Sequence, residues 1–219
     1  MSVRKTFDGV FSINGKIATA NLVRGIKVYG EDLINDSGTE YRLWNPYRSK
    51  LAAAILNHMK NMQIKPESKV LYLGAASGTT PSHVSDIIGN KGVMYCIEIS
   101  ERSMRQLVAL CERRQNMLPI LADASEPAYL EGAGTFDVIY QDIASKNQAD
   151  ILLNNSIALK PGGYAYFVIK SQSIDISRDP KEIYKDELGK LAKTFEVLER
   201  IDLEPYDSDH LFVVLRKID

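Results

Sequence analysis

With two cysteines, one tryptophan and three histidines in 219 residues, the chain lacks the makings of several familiar kinds of site. Two cysteines without a second pair cannot form a zinc cage, and no Cys/His cluster has metal-ligand spacing. Cys96 lies in an apolar strand-like run and Cys111 in a helical one. Both read as reduced core or near-core thiols, so a cytoplasmic chain is expected. No apolar run approaches the roughly 18 residues that span a membrane. The start, MSVRKTFDGVF, lacks the apolar core of a signal peptide. G-x-S-x-G is missing, which removes a serine nucleophile elbow, and there is no internal repeat or low-complexity tract. An excess of either charge is missing too: 27 Lys+Arg against 28 Asp+Glu leave a net charge of −1. That argues against a protein that grips nucleic acid alone by a large basic face. If RNA is the substrate, a local patch or a partner must supply much of the affinity.

What is present is an ordinary globular balance, 45% hydrophobic and 25% charged, in a chain long enough for a substantial core. One stretch organises it: VLYLGAASGTTPSHVSD, residues 70–86. Its first four residues are a continuous apolar run of the kind that forms a buried parallel strand. Gly74 and Gly78 bracket the small Ala75, Ala76 and Ser77, and Thr79, Thr80 and Pro81 open a helical pattern. Strand, glycine turn and helix start together bring backbone N–H groups and a positive helix end towards a ligand. An ordinary βα turn also favours glycine, so the loop alone names no ligand.

The first 44 residues differ in pattern from the rest. Two strand-like runs, 10–13 and 16–20, flank Asn14-Gly15, a hairpin signal. Further strand-like pieces at 26–29 and 41–44 make residues 1–44 a small antiparallel β domain. Asn45-Pro46 opens a helix expected to run to about Met62. From Val70 onward, apolar runs at 93–97, 118–121, 136–140 and 164–169 alternate with helical patterns at about 101–115, 147–159 and, in part, 125–131. Gly89-Asn90-Lys91-Gly92 and Lys160-Pro161-Gly162-Gly163 read as helix stops with turn chemistry. Asp179-Pro180 caps one more helix, and two closing strands, 196–201 and 211–215, are expected to pair antiparallel. The expectation is an α/β fold for residues 45–219, a parallel sheet covered on both faces.

Ligands in such sheets sit beyond the carboxyl ends of the strands. Glu98 follows Gly74 by 24 residues, about where an acid meets ribose hydroxyls. Asp123, after the next run, can accept from an adenine amino group. A lone acid at a strand end is commonly a solvated helix cap; sites at three successive strand ends weigh against that. The spacing does not fit G-x-G-x-x-G, so an adenosine with an amino-acid tail, such as S-adenosylmethionine, is favoured over a dinucleotide. Lys170 ends a very apolar run, Asp142 ends its neighbour, Lys50 sits near a helix start and His210 begins the last strand. A lysine brought below its usual pKa of about 10.4 by burial and a second cation could take a proton from a ribose hydroxyl, and Lys170 is the first candidate for that base or for an electrostatic stabiliser. Asp142 would orient one ammonium. His58 and His83 read as packing or capping residues.

The same residues carry a resemblance. VLYLGAASGTTPSHVSDIIG resembles the cofactor loop of the fibrillarin family, guide-RNA-directed ribose 2′-O-methyltransferases. YRLWNPYRSKLAAAI before it, and IEIS, LADA, FDVIYQDIASKNQ, GGYAYFVIKSQSID and EPYDSDHLFVV after it, extend the similarity over essentially the whole chain. The Gly/Arg-rich extension of eukaryotic members is absent, so the archaeal form is the expected match. The resemblance implies a Rossmann-like seven-stranded S-adenosylmethionine-dependent methyltransferase sheet behind the small β domain. It places the cofactor by the glycine loop (Gly74, Ala75, Gly78), Thr79 and Thr80, Glu98 and Ile99, Asp123 and Ala124, and Asp142, Ile143, Ala144 and Ser145. It also implies a catalytic Lys50, Asp142, Lys170 and His210. Its partners would be a Nop-domain scaffold protein, a kink-turn-binding protein and a box C/D guide RNA, acting on rRNA and tRNA. Pro81, Ile99 and Ser145-Lys146 depart from the family's usual residues. Two other readings stand beside it: a guide-independent ribose methyltransferase of the cell-division heat-shock type, and a non-catalytic scaffold keeping the same sheet.

Overall fold

Asn14 and Gly15 both have positive φ, 49° and 83°, the twist that closes a two-residue hairpin. They join β2 (Val10–Ile13) to β3 (Lys16–Ala20). The structure, a computed structural model, describes residues 2–218. β1 (Val3–Phe7), β4 (Leu33–Asp36) and β5 (Thr39–Leu43) complete an antiparallel sheet in the order β1-β2-β3-β5-β4. The expected strand at 26–29 is a loop instead. The Glu31 carboxylate accepts from the amides of Val28 (3.0 Å) and Tyr29 (2.8 Å), which leaves those N–H groups unavailable to a ladder.

The long helix expected after Asn45 is two pieces. Asn45 caps a 3₁₀ turn, Pro46–Arg48, and Ser49 caps a separate helix, α1 (Lys50–Leu56). A second side-chain cap restarts the helix and places Lys50 at its first position. α1 ends at once, and His58 stands at φ 67° outside any helix.

The large sheet is built from β6 (Lys69–Leu73), β7 (Val93–Glu98), β8 (Met117–Leu121), β9 (Phe136–Gln141), β10 (Leu159–Lys170), β11 (Phe195–Asp202) and β12 (His210–Lys217). Their order is β11-β12-β10-β9-β6-β7-β8. β12 runs antiparallel to β10 and β11; the other pairs are parallel. Val70 and Tyr72 point to one face, against α1 and α2 (Thr79–Ile88) and the neighbouring α3 (Glu101–Cys111). Leu71 and Leu73 point to the other, against α4 (Gln148–Asn155) and α6 (Pro180–Leu191). Burial on both faces is why this strand reads as an unbroken apolar run. Lys160-Pro161-Gly162-Gly163 lies inside β10 rather than at a helix stop. Register jumps there from Leu159↔Phe136 to Tyr164↔Val138, because Pro161 has no N–H to pair and Gly162 takes φ 66°. A short α5 (Ser171–Ile174) follows Lys170 directly. Cys96 and Cys111 are buried free thiols, and no described helix is long and apolar enough to cross a membrane.

A buried polar joint ties the two sheets together. Asp86 of α2 accepts from Arg42 Nη1 (2.8 Å), Arg114 Nη1 (2.7 Å), Thr19 Oγ1 (2.7 Å) and the Leu22 amide (3.0 Å). Arg42 also donates to Glu31 at 2.6 Å. Beside them His83 is fully buried, stacked on Trp44 at 4.6 Å and bonded to Thr19 (2.7 Å) and Tyr29 (2.8 Å). Burial, reinforced by the Arg42 and Arg114 guanidiniums, holds its pKa well below the ordinary 6.5. An unfolded chain protonates this histidine below about pH 6.5 and the folded one does not, so the stability it contributes is present above that pH and lost as pH falls. Denaturant unfolding should show the fold weakening below pH 6.5, by up to about 1.4 kcal/mol per pH unit from this residue, with a shallower dependence in His83→Gln.

Candidate active site

Chain order reverses direction between β6 and β9: β7 and β8 lie to one side of β6, and β9 and β10 to the other. That is the switch point at which open α/β sheets bind ligands. A cleft of about 480 Å³ opens there, at the carboxyl ends of β6, β7, β8 and β9. Gly74 forms its floor. A Cβ at Gly74 would lie 2.7 Å from the Asp142 carbonyl oxygen, and its φ is +82°. Gly74→Ala should therefore destabilise the protein by roughly 1–3 kcal/mol and distort the cleft, read out as a lower melting temperature.

The glycine loop uses its own amides differently from the phosphate-cradle pattern. Gly74 and Ala75 donate to the Ile97 carbonyl (2.9 and 3.0 Å), and Gly78 to that of Ala75 (3.0 Å). Ala76 donates to Glu98 Oε2 at 2.7 Å, while Glu98 Oε1 accepts from Ser100 at 2.8 Å. Glu98 thus ties the ends of β6 and β7 together and still has acceptor capacity on each oxygen. Gly74, Glu98, Ile99, Asp123, Ala124, Asp142, Ile143, Ala144 and Ser145 all line the cleft. Ala76, Ile97, Ser125, Asn147 and Lys170 join them there. Ala75, Gly78, Thr79 and Thr80 do not. Gly78 faces Leu110, whose side chain a Cβ there would strike, and α2 begins at Thr79. Buried Thr80 donates to Ser49 Oγ at 2.9 Å, bracing the cap that sets Lys50.

The four proposed reaction residues do come together, with a fifth. Lys170 Nζ lies 2.7 Å from Asp142 Oδ1 and hydrogen-bonds the Asp142 carbonyl at 3.1 Å. Lys50 Nζ lies 3.2 Å from Asp142 Oδ2 and 3.5 Å from Asp207 Oδ2. Asp207 Oδ1 is 2.6 Å from His210 Nδ1, and His210 is the register partner of Lys170. Asp142 therefore bridges both ammoniums rather than orienting one. Burial pushes its carboxyl up, but the Lys50 and Lys170 charges hold it below the usual carboxylate range. The depressed lysine pKa expected from the sequence is not found at Lys50. Burial lowers it, but Asp142 and Asp207 more than reverse that and raise it above its ordinary value.

Two supporting residues escape a sequence reading. Gln148 is fully buried and clamps the end of β10, accepting from the Lys170 amide (2.9 Å) and donating to the Lys170 and Ser145 carbonyls (3.0 and 2.8 Å). Nothing in an isolated glutamine signals this. Asp207 lies three residues before His210, a spacing that only the turn between β11 and β12 makes meaningful. No group of His, Cys, Asp and Glu among the described residues could hold a metal ion. Acid oxygens at two successive strand ends, small apolar walls and a volume suited to a small molecule fit an adenosine with an amino-acid tail.

Sheet order and cleft together define a Rossmann-like methyltransferase fold. The fibrillarin family model matches residues 1–218. A relative from Thermococcus sibiricus, named fibrillarin-like rRNA/tRNA 2′-O-methyltransferase, is 52% identical over 99% of this chain and 100% of its own. Aeropyrum pernix fibrillarin, solved in complex with natively bound S-adenosyl-L-methionine, superposes with a TM-score of 0.90 at 40% identity, covering 98% of both chains. The fibrillarin of a fibrillarin/Nop5p complex does so with a TM-score of 0.89 at 36% identity, covering 98% of this chain and 100% of that one. This chain belongs to the fibrillarin family.

Proposed function

We propose that this protein transfers a methyl group from S-adenosylmethionine to ribose 2′-hydroxyls of rRNA and tRNA. A box C/D guide RNA would select the nucleotide, with a Nop-domain scaffold of the Nop5p kind and a kink-turn-binding protein completing the particle. The observation that carries the reading is the cleft at the switch point, with Lys170 shared between it and the Lys50–Asp142–Lys170 network. S-adenosylmethionine, when bound, supplies an electrophilic methyl group on sulfonium, so the protein needs neither metal nor covalent intermediate. Glu98 would accept from ribose hydroxyls and Asp123 from the adenine amino group, and Ile99 and Ala124 would pack on the base; all four line the cleft. Lys170 and Lys50, held by Asp142, would orient the acceptor hydroxyl and stabilise the negative charge that develops on its oxygen. Positioning supplies most of the rate, and acid–base help roughly a further 10²–10⁴-fold.

Delegating RNA grip to partners suits a chain of net charge −1. Calorimetry with S-adenosylmethionine, and methyl transfer to naked RNA by the isolated chain, test this reading. Cofactor binding with negligible transfer is expected. Efficient transfer to naked RNA would favour a guide-independent enzyme, and failure to bind the cofactor alone or assembled would favour a scaffold.

A further inference from the structure

Asp207 connects the two halves of the network. Its Oδ2 meets Lys50 at 3.5 Å and its Oδ1 meets His210 Nδ1 at 2.6 Å. An ionised carboxylate can only accept, so the hydrogen in this contact belongs to Nδ1. In a neutral ring that leaves the lone pair on Nε2, and no described residue bonds that atom.

The turn that carries Asp207 is tied down at both ends. The amides of Tyr206 and Asp207 both donate to the Leu203 carbonyl, at 2.9 and 3.2 Å. Asn57 Nδ2 donates to the Asp202 and Glu204 carbonyls, both at 2.7 Å. Asp209, at φ 60°, is gripped from α5. Ser171 Oγ donates to its carbonyl at 3.0 Å and Gln172 Nε2 to its Oδ2 at 2.6 Å. α5 begins at the residue after Lys170, so the histidine turn and the lysine strand end are fastened to one another. In the β10–β12 register Lys170 and His210 stand opposite, with β-carbons roughly 5 Å apart. Both lysine Nζ atoms already lie against Asp142 oxygens, whereas His210 Nε2 has no hydrogen-bond partner among the described residues.

We propose that Asp207 is a positioning residue that fixes His210 with Nδ1 protonated and Nε2 as the proton acceptor for the ribose 2′-hydroxyl. The inference rests on reading the site as a ribose methyltransferase. In this step the hydroxyl O–H bond breaks, the proton passes to Nε2, and the bonding electron pair stays on the ribose oxygen as its nucleophilic pair. The imidazolium so formed is balanced by Asp207, while Lys50 and Lys170 face the oxygen.

Two measurements decide it. Nitrogen-15 NMR of the free chain, at a pH where the ring is neutral, should show His210 as the Nδ1–H tautomer, shifting to a mixture of tautomers in Asp207→Asn. In the reconstituted guide-RNA complex, Asp207→Asn should lower kcat by at least tenfold, within the 10²–10⁴-fold range of acid–base help, with S-adenosylmethionine affinity unchanged. Asp207→Glu should restore most of that loss, and Asp207→Asn should add little further loss in a His210→Ala background. An Nε2-protonated ring in the native protein would overturn the proposal, and so would an Asp207→Asn loss that persists undiminished in His210→Ala. A wild-type complex that transfers no methyl group would instead count against the function itself, and the NMR result would still report the state of the histidine.

Discussion

Asp142→Asn should lower guided methyl transfer about 10²–10³-fold, the scale on which removal of a preorganised electrostatic group is felt. Asparagine keeps the shape but loses the charge that lies within 3.2 Å of Lys50 and 2.7 Å of Lys170. Two ammoniums would then face each other across a neutral amide and move apart, and both would be misplaced for the acceptor oxygen. A shift of about 1 Å in such a group is enough to cost about 10²-fold. The Asp142 main chain also walls the cleft beside Gly74, and that contact survives the substitution. Cofactor affinity should therefore fall by less than about tenfold, equivalent to about 1.4 kcal/mol. Single-turnover transfer in the assembled complex, with calorimetry alongside, separates the two quantities. Near-normal turnover with normal cofactor binding would remove Asp142 from the reaction.

The second large effect is on stability, far from the chemistry. Asp86→Ala should destabilise the protein by about 3–5 kcal/mol, because it takes a carboxylate from two buried guanidiniums and leaves one of them without an anionic partner. Arg42 and Arg114 have side chains 0% and 1% exposed, and both aim a nitrogen at Asp86. Arg42 retains Glu31 at 2.6 Å, whereas Arg114 keeps only neutral acceptors. For a chain of this size the loss corresponds to roughly 6–20 °C in melting temperature. Differential scanning calorimetry measures it directly. Transfer by the remaining folded protein should be nearly unchanged, since Asp86 touches no residue of the cleft. The joint also explains why the small sheet is packed on α2: four of its partners, Thr19, Leu22, Glu31 and Arg42, come from the first 44 residues.

Legibility in the sequence followed local determinism. The Asn14-Gly15 hairpin, the Asp179-capped helix and the alternating core strands were readable because turn chemistry, caps and burial on both faces act within a few residues. The 26–29 loop was not, because Glu31 reaches back to amides that otherwise look like a strand's. Nor was the bulge at 160–163, where Pro and Gly sit inside a strand and mimic a helix stop. In the cleft, Glu98 and Asp123 were legible from strand-end position alone. The glycine loop was legible as a turn but not in how its amides are used, since those of Gly74, Ala75 and Ala76 bond residues 22 or more positions away, at Ile97 and Glu98. Lys170 and Asp142 stood out as charges ending apolar runs. Asp207 did not, because its meaning comes from Lys50 and His210, which the fold brings to it.

The central claim, guide-directed transfer to a ribose 2′-oxygen, is tested most directly by changing the guide. The full complex is assembled with two guide RNAs whose pairing to one target is offset by a single nucleotide, and the methylated position is mapped by mass spectrometry. One 2′-O-methyl group per guide, moving by one nucleotide with the offset, is the predicted result. Methylation at a fixed position whatever the guide, or on the base rather than the ribose, would contradict it.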